Sequence, residues 1–454
     1  MIPMASLEVL MLVGVGSPAA LLALLGSASL VNRPLPERWT GRLAAGAMTI
    51  SCAAFCAALL VYATIRMEAM VLYDAWSTSH PGGIAIEFLL DGMSLGFAAL
   101  SAAIAGIVSA FSNRYLHREP GYNRYFFLLS MFVTGLLLVA LAGNVEVLFA
   151  GWEFVGLSSA LLVGFFHERP APVSNALRVF SVYRISDAAM LSAAVLLHHV
   201  AGSGSLSLLF GGATFSSAAG PTGTDATMIA VLLVVAVAGK SALLPFSGWL
   251  PRAMEGPTPS SAVYYGSLSI HAGCFLLLRA APLLEQSTPA RLLTGGIGVA
   301  TALYSTLTTR VQSDVKSSLA YAALTQVGII VVEIALGLYT IAFLHLAGHA
   351  CFRLLQFLSA PNVLHDLHGL EAAVGERLAP GGGYLEARVP EGVRRQLFLF
   401  ALERGFVDAV LDRLFVDPFF WLTRQMSRLD RFLCDVVIRR APSILVEAAE
   451  DRDD

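Results

Sequence analysis

The chain has 454 residues, of which 56% are hydrophobic and only 13% charged, with a mean hydropathy of +0.70 and a formal net charge of -3. About a quarter of the residues of an ordinary soluble domain are charged, so the bilayer is the solvent this composition fits. So small a net charge leaves no electrostatic footprint for a nucleic acid, and five scattered cysteines (Cys52, Cys56, Cys274, Cys351 and Cys434) without CxxC or Cys/His spacing point to neither an iron–sulfur cluster nor a structural zinc.

In chain order, the first apolar run starts at Leu7 with no basic segment before it, so a first membrane span is expected there rather than a cleaved signal peptide. Gly14 and Gly16 form a GxG inside that run, but no GxGxxG is completed and no strand or ribose-binding carboxylate accompanies it. No dinucleotide or other cofactor is expected. Apolar windows cover Leu7 to Val31, Leu43 to Ile65, Ile84 to Phe111, Phe126 to Leu141, Val147 to Phe166 and Leu177 to Val200. They continue with Met228 to Leu250, Ser261 to Leu284, Leu292 to Leu307, Ser318 to Leu338 and Tyr339 to Leu358. Each approaches the length that crosses a bilayer as a helix. The expectation is an all-α integral membrane protein of about eleven transmembrane helices over residues 1–370, the eighth diluted by Ser, Tyr and His.

Basic residues alternate between successive loops. Arg33 and Arg38, then Arg114, Arg118 and Arg124, then Arg169, Arg252, and Arg310 with Lys316 fall in odd-numbered loops, while Arg66, Arg279 and Arg291 are the exceptions. By the positive-inside rule the N-terminus is expected outside and the C-terminal tail in the cytoplasm. Beyond Leu370 the chain turns polar through Ala379-Pro380-Gly381-Gly382-Gly383. In the tail, residues 371–454, Phe406, Val410 and Leu414 form one apolar stripe and Leu422, Met426, Leu429, Leu433 and Val436 another, opposite Arg424, Arg428, Asp430, Arg431 and Asp435. These are amphipathic helices for the bilayer surface or for a coiled-coil contact.

Of 29 basic residues only Lys240 and Lys316 are lysine. Arginine does not release its proton, whereas a buried lysine can. A charge in hydrocarbon costs about 2.5–3.5 kcal/mol on insertion scales, so each charge within a span is a functional candidate unless it snorkels. Lys240 lies deep in the seventh window, with Pro245 shortly after it, so a helix break is expected beside it. Glu153, in Gly151-Trp152-Glu153-Phe154, has no basic neighbour within a turn, and Lys240 is its natural partner. Arg184 and Asp187, three apart, can pair on one helix, as a structural bridge or as part of a proton path. His345, His349, Arg353 and Gln356 share one face of the eleventh span. That stripe is either hydrogen-bonded structure or a proton relay, and zinc at HxxxH lacks a third ligand. Glu333 is a lone carboxylate in the tenth span without an assigned role.

Gly239-Lys240-Ser241-Ala242-Leu243-Leu244-Pro245, then Trp249-Leu250-Pro251-Arg252-Ala253-Met254-Glu255-Gly256-Pro257-Thr258-Pro259, resemble the antiporter-like subunits of respiratory complex I, the L-type subunit above all, and the related Mrp antiporters. Gly151-Trp152-Glu153, Arg184 with Asp187, Val311 to Lys316, Gln326-Val327-Gly328 and His345 to Phe352 follow in family order over roughly residues 88–359, and Asp412 to Phe419 resembles the L-type C-terminal region. The resemblance implies a discontinuous seventh helix, inverted five-helix repeats and a buried proton path. In it Glu153 and Lys240 are the coupled pair of the first half-channel, His345 and His349 the central relay, and Lys316 a family lysine.

The pattern is broken at three points. The family histidine after Gly-Pro-Thr-Pro falls on Tyr265, with His271 six residues later; Arg353 stands where the family has lysine; and the later helices are missing, which implies a shortened fold with an incomplete second repeat and a need for a partner. Gly273 to Arg279 and Ala281 to Leu284 also resemble the membrane subunit of DAB-type inorganic carbon transporters, which pairs with a large zinc-containing soluble subunit. The expected function is a proton-conducting subunit of a multi-subunit complex in the bacterial inner membrane, without a redox centre, catalytic site or metal of its own. Its partners are then antiporter-like and redox subunits. The alternatives are the energy-coupling subunit of an inorganic carbon transporter and a non-conducting structural subunit. Carboxylates and carbonyls at a helix break can also hold sodium, so the ion stays open.

Overall fold

A computed structural model describes residues 2–65, 69–74, 85–202, 204–206, 221–312, 314–374, 389–411, 413–414 and 417–438. Its membrane helices are α1 (Ile2–Leu30), α2 (Glu37–Ile65), α3 (Gly92–Tyr115), α4 (Tyr122–Leu141), α5 (Val145–Val163), α6 (Pro170–Ala201) and α7 (Gly223–Lys240). α8 (Thr258–Arg279), α9 (Thr288–Thr309), α10 (Val315–Ala335) and α11 (Tyr339–Ala360) follow. Ten of these helices, all but α9, are long and apolar enough to cross a membrane. α9 is the ninth expected span. Its 22 residues reach about 33 Å, enough for the hydrocarbon, but its threonines and glycines lower its hydropathy.

Local chemistry sets many of the helix starts. Asp91, Asn144, Ser287 and Asp314 each accept a backbone N–H three residues on, capping α3, α5, α9 and α10. The eighth window, diluted by Ser, Tyr and His, turns out to be the innermost helix: its apolar window is wholly buried, against 28% for α1, so its polar groups face protein and not lipid. The third window is corrected at its start. Residues Ala85–Leu90 form β2, antiparallel to β1 (Ala69–Asp74), and the helix begins only at Gly92. A short apolar run reads as strand or helix alike, and the backbone pairing of Gly143 N–H to the Glu87 carbonyl at 2.7 Å favours the strand.

The expected break is present. α7 stops at Lys240, and the chain passes through Leu244 and Pro245 before a short helix, Trp249–Arg252. Several backbone groups freed at the break find partners within the protein, as hydrocarbon requires. The Leu243 N–H donates to Ala238 O at 2.9 Å, the Leu244 N–H to Thr301 Oγ1 at 3.1 Å, and the Trp249 indole to Gly239 O at 3.0 Å. Glycines bring the flanking helices together. A Cβ on Gly151 would lie 2.5 Å from Gly135 O, and one on Gly328 would lie 2.7 Å from Gly298 O. Thus α4 meets α5, and α9 meets α10, backbone against backbone.

Two exceptions to the basic-loop alternation have structural duties. Arg279 bonds Asp91 Oδ2 at 2.5 Å and Oδ1 at 2.8 Å, and also reaches the Ser94 hydroxyl, tying the end of α8 to the start of α3. Arg291 bonds the Ala335 carbonyl at the end of α10 through Nε and Nη2, at 3.2 and 3.1 Å. Arg66, the third exception, lies outside the described residues, as do Ala379 to Gly383 and Asp412, Phe415 and Val416 of the tail. The chain divides into two compact units, residues 1–401 and 402–454. In the first, α12 (Glu391–Leu402) follows the membrane helices. In the second, α13 (Asp417–Ile438) carries Leu422, Met426, Leu429 and Leu433 as an exposed apolar stripe, as its spacing predicts. The side chains of Asp435 and Val436 are not among those described.

Gly151→Val pushes α5 off α4 and lowers thermal stability in detergent by about 1–3 kcal/mol. Burial raises the Asp91 carboxyl, but the charge and hydrogen bonds of Arg279 and the bonds from Ser94 outweigh it, and the net effect is a lowered pKa. A carboxyl lowered in the fold contributes stability above its unfolded value, about pH 3.9, and loses it as pH falls through the folded one. Asp91→Asn therefore lowers folding stability near neutral pH by roughly 3 kcal/mol, read as a lower melting temperature, and the deficit closes on acidification. An Asp91→Asn melting curve that coincides with that of the native chain at pH 7 counts against the lock.

Candidate functional site

Two clusters of ionisable side chains lie inside the helix bundle, and the broken α7 stands next to both. In the first, Lys240 ends α7 with its side chain fully buried. Its Nζ donates to the Trp152 carbonyl at 3.1 Å and lies 4.8 Å from the Trp152 ring centroid and 4.4 Å from that of Tyr183. A backbone oxygen and two π faces replace part of its water shell. Gly156 makes the room, since a Cβ there would come 2.8 Å from Nζ. α6 is drawn against α7 by the Ser186 hydroxyl on the Ala236 carbonyl at 2.5 Å, and the bare Gly239 backbone faces Ser186.

The carboxylate nearest Lys240 is Asp187, with Oδ1 at 3.9 Å. This corrects the pairing of Lys240 with Glu153. Glu153 Oε2 takes Nη2 of Arg184 at 2.7 Å, and the same Nη2 lies 2.7 Å from Asp187 Oδ2. The physical reason is spacing: Arg184 and Asp187, one turn apart on α6, stand between the acid of α5 and the amine of α7. The four groups form a ladder whose side-chain exposure runs 26% at Glu153, 41% at Arg184, 5% at Asp187 and 0% at Lys240, from a partly open end to a closed one.

The second cluster joins α8, α10 and α11. His271 Nε2 lies 2.9 Å from His349 Nδ1, and Arg353 Nε donates to His349 Nε2 at 3.0 Å while its Nη1 donates to Gln356 Oε1 at 2.6 Å. One turn earlier on α11, His345 Nδ1 faces both oxygens of Glu333, at 2.9 and 3.1 Å, and its Nε2 faces Gln326 Oε1 at 3.1 Å. His345 thus has a side-chain oxygen beside each ring nitrogen, whereas His349 meets a donor on one side. The rings of His345 and His349 are 6.3 Å apart. Among the described residues, no three His, Cys, Asp or Glu side chains converge as a metal-ligand set.

The clusters meet at the break. Ser241, directly after Lys240, donates its hydroxyl to the Ile270 carbonyl beside His271 at 2.7 Å. Lys316 stands apart from both, donating to the Gly256 carbonyl at 3.3 Å. Tyr265, in the position of the family histidine, donates to Ser159 O at 2.8 Å and joins neither cluster. Sequence reasoning left His271 without a role and gave Glu333 none, since only the crossing of α8, α10 and α11 reveals their partners. A signal for His271 did exist: a histidine in the most polar of the apolar windows. The cage formed by Trp152, Tyr183 and Gly156 has no such signal.

Known proteins share this architecture. Residues 142–374 match the family model described as NADH:quinone oxidoreductase/Mrp antiporter, TM, and residues 76–126 match that of the NADH-Ubiquinone oxidoreductase (complex I), chain 5 N-terminus. The chain is 31% identical to NADH-quinone oxidoreductase subunit L of Mycobacterium tuberculosis, over 66% of its own length and 48% of that protein. It is 33% identical to NADH-ubiquinone oxidoreductase chain 5 of Loxodonta africana, over 68% of itself and 50% of the relative. The chain thus spans about half the length of the curated relatives it matches. Among solved structures, a chain of the Mrp complex from Dietzia sp. DQ12-45-1b superposes with a TM-score of 0.63 at 25% identity, covering 88% of this chain and 43% of that one. A chain of the archaeal membrane-bound sulfane sulfur reductase shares the fold, with a TM-score of 0.65 at 15% identity over 89% of this chain and 86% of its own. With ten apolar helices, half of its length under one family model and identity above 30% to these relatives, this chain is a multi-pass membrane protein of the NADH:quinone oxidoreductase/Mrp antiporter family.

Proposed function

We propose that this chain is the proton-conducting membrane subunit of a multi-subunit complex, coupling a transmembrane proton gradient to a reaction carried by its partners. The observation that carries the reading is Lys240, a fully buried amine at a helix break, with Asp187 at 3.9 Å and the Arg184–Glu153 pair leading outward from it. Nη2 of Arg184 is shared between two carboxylates, which makes it a switch. When it moves fully to Glu153, Asp187 is free to hold the Lys240 ammonium. When it moves to Asp187, the amine loses its counter-ion, and desolvation then drives its proton toward Ser241 and the histidines of α8 and α11. The relatives are named as subunits of NADH-quinone and NADH-ubiquinone oxidoreductases, which supports a place in a larger assembly.

The same reading places the chain in a bacterial cytoplasmic membrane, with its N-terminus outside, following the arginine-rich odd loops. The leucine stripe of α13 suits it to a bilayer surface or to a coiled-coil contact. The identity of the complex is decided by what co-purifies. Flavin and iron–sulfur proteins mark a redox-driven machine, and a large zinc-containing soluble protein marks an inorganic carbon transporter.

Lys240→Arg keeps the charge and removes the exchangeable proton. Gradient-driven acidification of vesicles holding the assembled complex, followed with a pH-sensitive dye, is expected to vanish in that variant, and native rates would dismiss the mechanism. Asp187→Asn strands a buried amine, costing about 3–5 kcal/mol of stability. Glu153→Gln removes a partly exposed partner and costs less, so equal melting temperatures for the two variants contradict the order of the ladder.

A further inference from the structure

A second feature of the interior concerns how proton movement is restrained, and it rests on the proton-conducting reading above. His349 is a hydrogen-bonded link with defined polarity. Its Nε2 takes the Nε–H of Arg353 at 3.0 Å, and its Nδ1 faces His271 Nε2 at 2.9 Å. All three residues are buried, with His271 at 0% exposure and His349 and Arg353 at 6%. An arginine Nε is only ever a donor, so Nε2 of His349 is an acceptor, and the hydrogen of the neutral ring sits on Nδ1, pointing at His271.

We propose that Arg353 is a gate: it locks His349 in the Nδ1–H tautomer and thereby bars proton transfer through that ring. A relay through an imidazole needs one nitrogen to gain a proton as the other loses one. Inbound from His271, a proton on its Nε2 meets the Nδ1–H of His349, a donor facing a donor, so no N–H bond can form there. Outbound, His349 can give its Nδ1 proton to Nε2 of His271 only if another proton reaches its own Nε2. The group standing there is the Arg353 guanidinium, which does not release its proton at any accessible pH. The transfer stalls in both directions until the guanidinium withdraws. Gln356, whose Oε1 already accepts from Arg353 Nη1 at 2.6 Å, is a partner the arginine keeps as it moves. The titratable neighbours of the ring also bear on the gate: Arg353 lies on one side, and His345, facing Glu333, stands one turn away. A lysine in place of Arg353 presents an ammonium that can release a proton, so the gating depends on the arginine.

The test uses the full chain, labelled with ¹⁵N-histidine and reconstituted into phosphatidylcholine/phosphatidylglycerol vesicles. Solid-state NMR, with His349→Gln to assign the signals, is expected to show Nε2 of His349 bare and Nδ1 protonated in the native protein, and a mixture of tautomers in Arg353→Met. A native His349 protonated at Nε2 overturns the gate. In the same vesicles, loaded with a pH-sensitive dye and given a pH step, Arg353→Met and Arg353→Lys are both expected to raise proton flux by about tenfold or more. A merely structural arginine predicts instead that Arg353→Lys behaves like the native chain. Flux in both variants no higher than native overturns the gate even if the tautomer is as expected. Lys240→Met added to Arg353→Met separates this inference from the reading beneath it. If the raised flux survives, the gate stands and the path through Lys240 falls; if it is lost, both stand.

Discussion

The structure is organised around the cost of keeping an amine in a place water does not reach. Lys240 is fully buried, and each helix around it compensates in a different way: α5 with a backbone carbonyl, an indole face and the space left by Gly156, and α6 with a phenol ring and a carboxylate. None of these alone replaces a hydration shell. Together they make a buried charge tolerable, and the proposed exchange of a proton at this amine depends on that balance. A tight, fully hydrogen-bonded ion pair would bury the charge more stably and hold it for good.

The helix break serves the same end. A continuous α7 would carry its hydrogen bonds past Lys240 and leave no polar connection to α8. By stopping there, the chain frees backbone groups that Thr301, Trp249 and Ala238 then satisfy, and the Ser241 hydroxyl is turned toward the helix that carries His271. Glycine crossings support this arrangement, because they let the backbones of α4 and α5, and of α9 and α10, pack in direct contact.

The two clusters differ in kind. The first is an ordered set of charges with partial exposure at one end, in which one guanidinium nitrogen stands between two carboxylates. The second is a set of imidazoles linked to one another and to their neighbours by side-chain hydrogen bonds. His345 lies among oxygens, and His349 between a guanidinium and another ring.

Much of this was legible in the residues. Composition and the twenty-residue apolar windows determined a bundle of membrane helices, and the break after Lys240 followed from its position and Pro245. The stripe of His345, His349 and Arg353 followed from helical period, because these are properties of one segment and its solvent. The partners were not legible. That Asp187, and not Glu153, stands nearest Lys240, that His271 bonds His349, and that Ala85–Leu90 pairs as a strand all depend on which segments lie side by side. A sequence states what each helix carries, but neighbours far apart along the chain are chosen by packing, through glycines and crossings that no local pattern encodes.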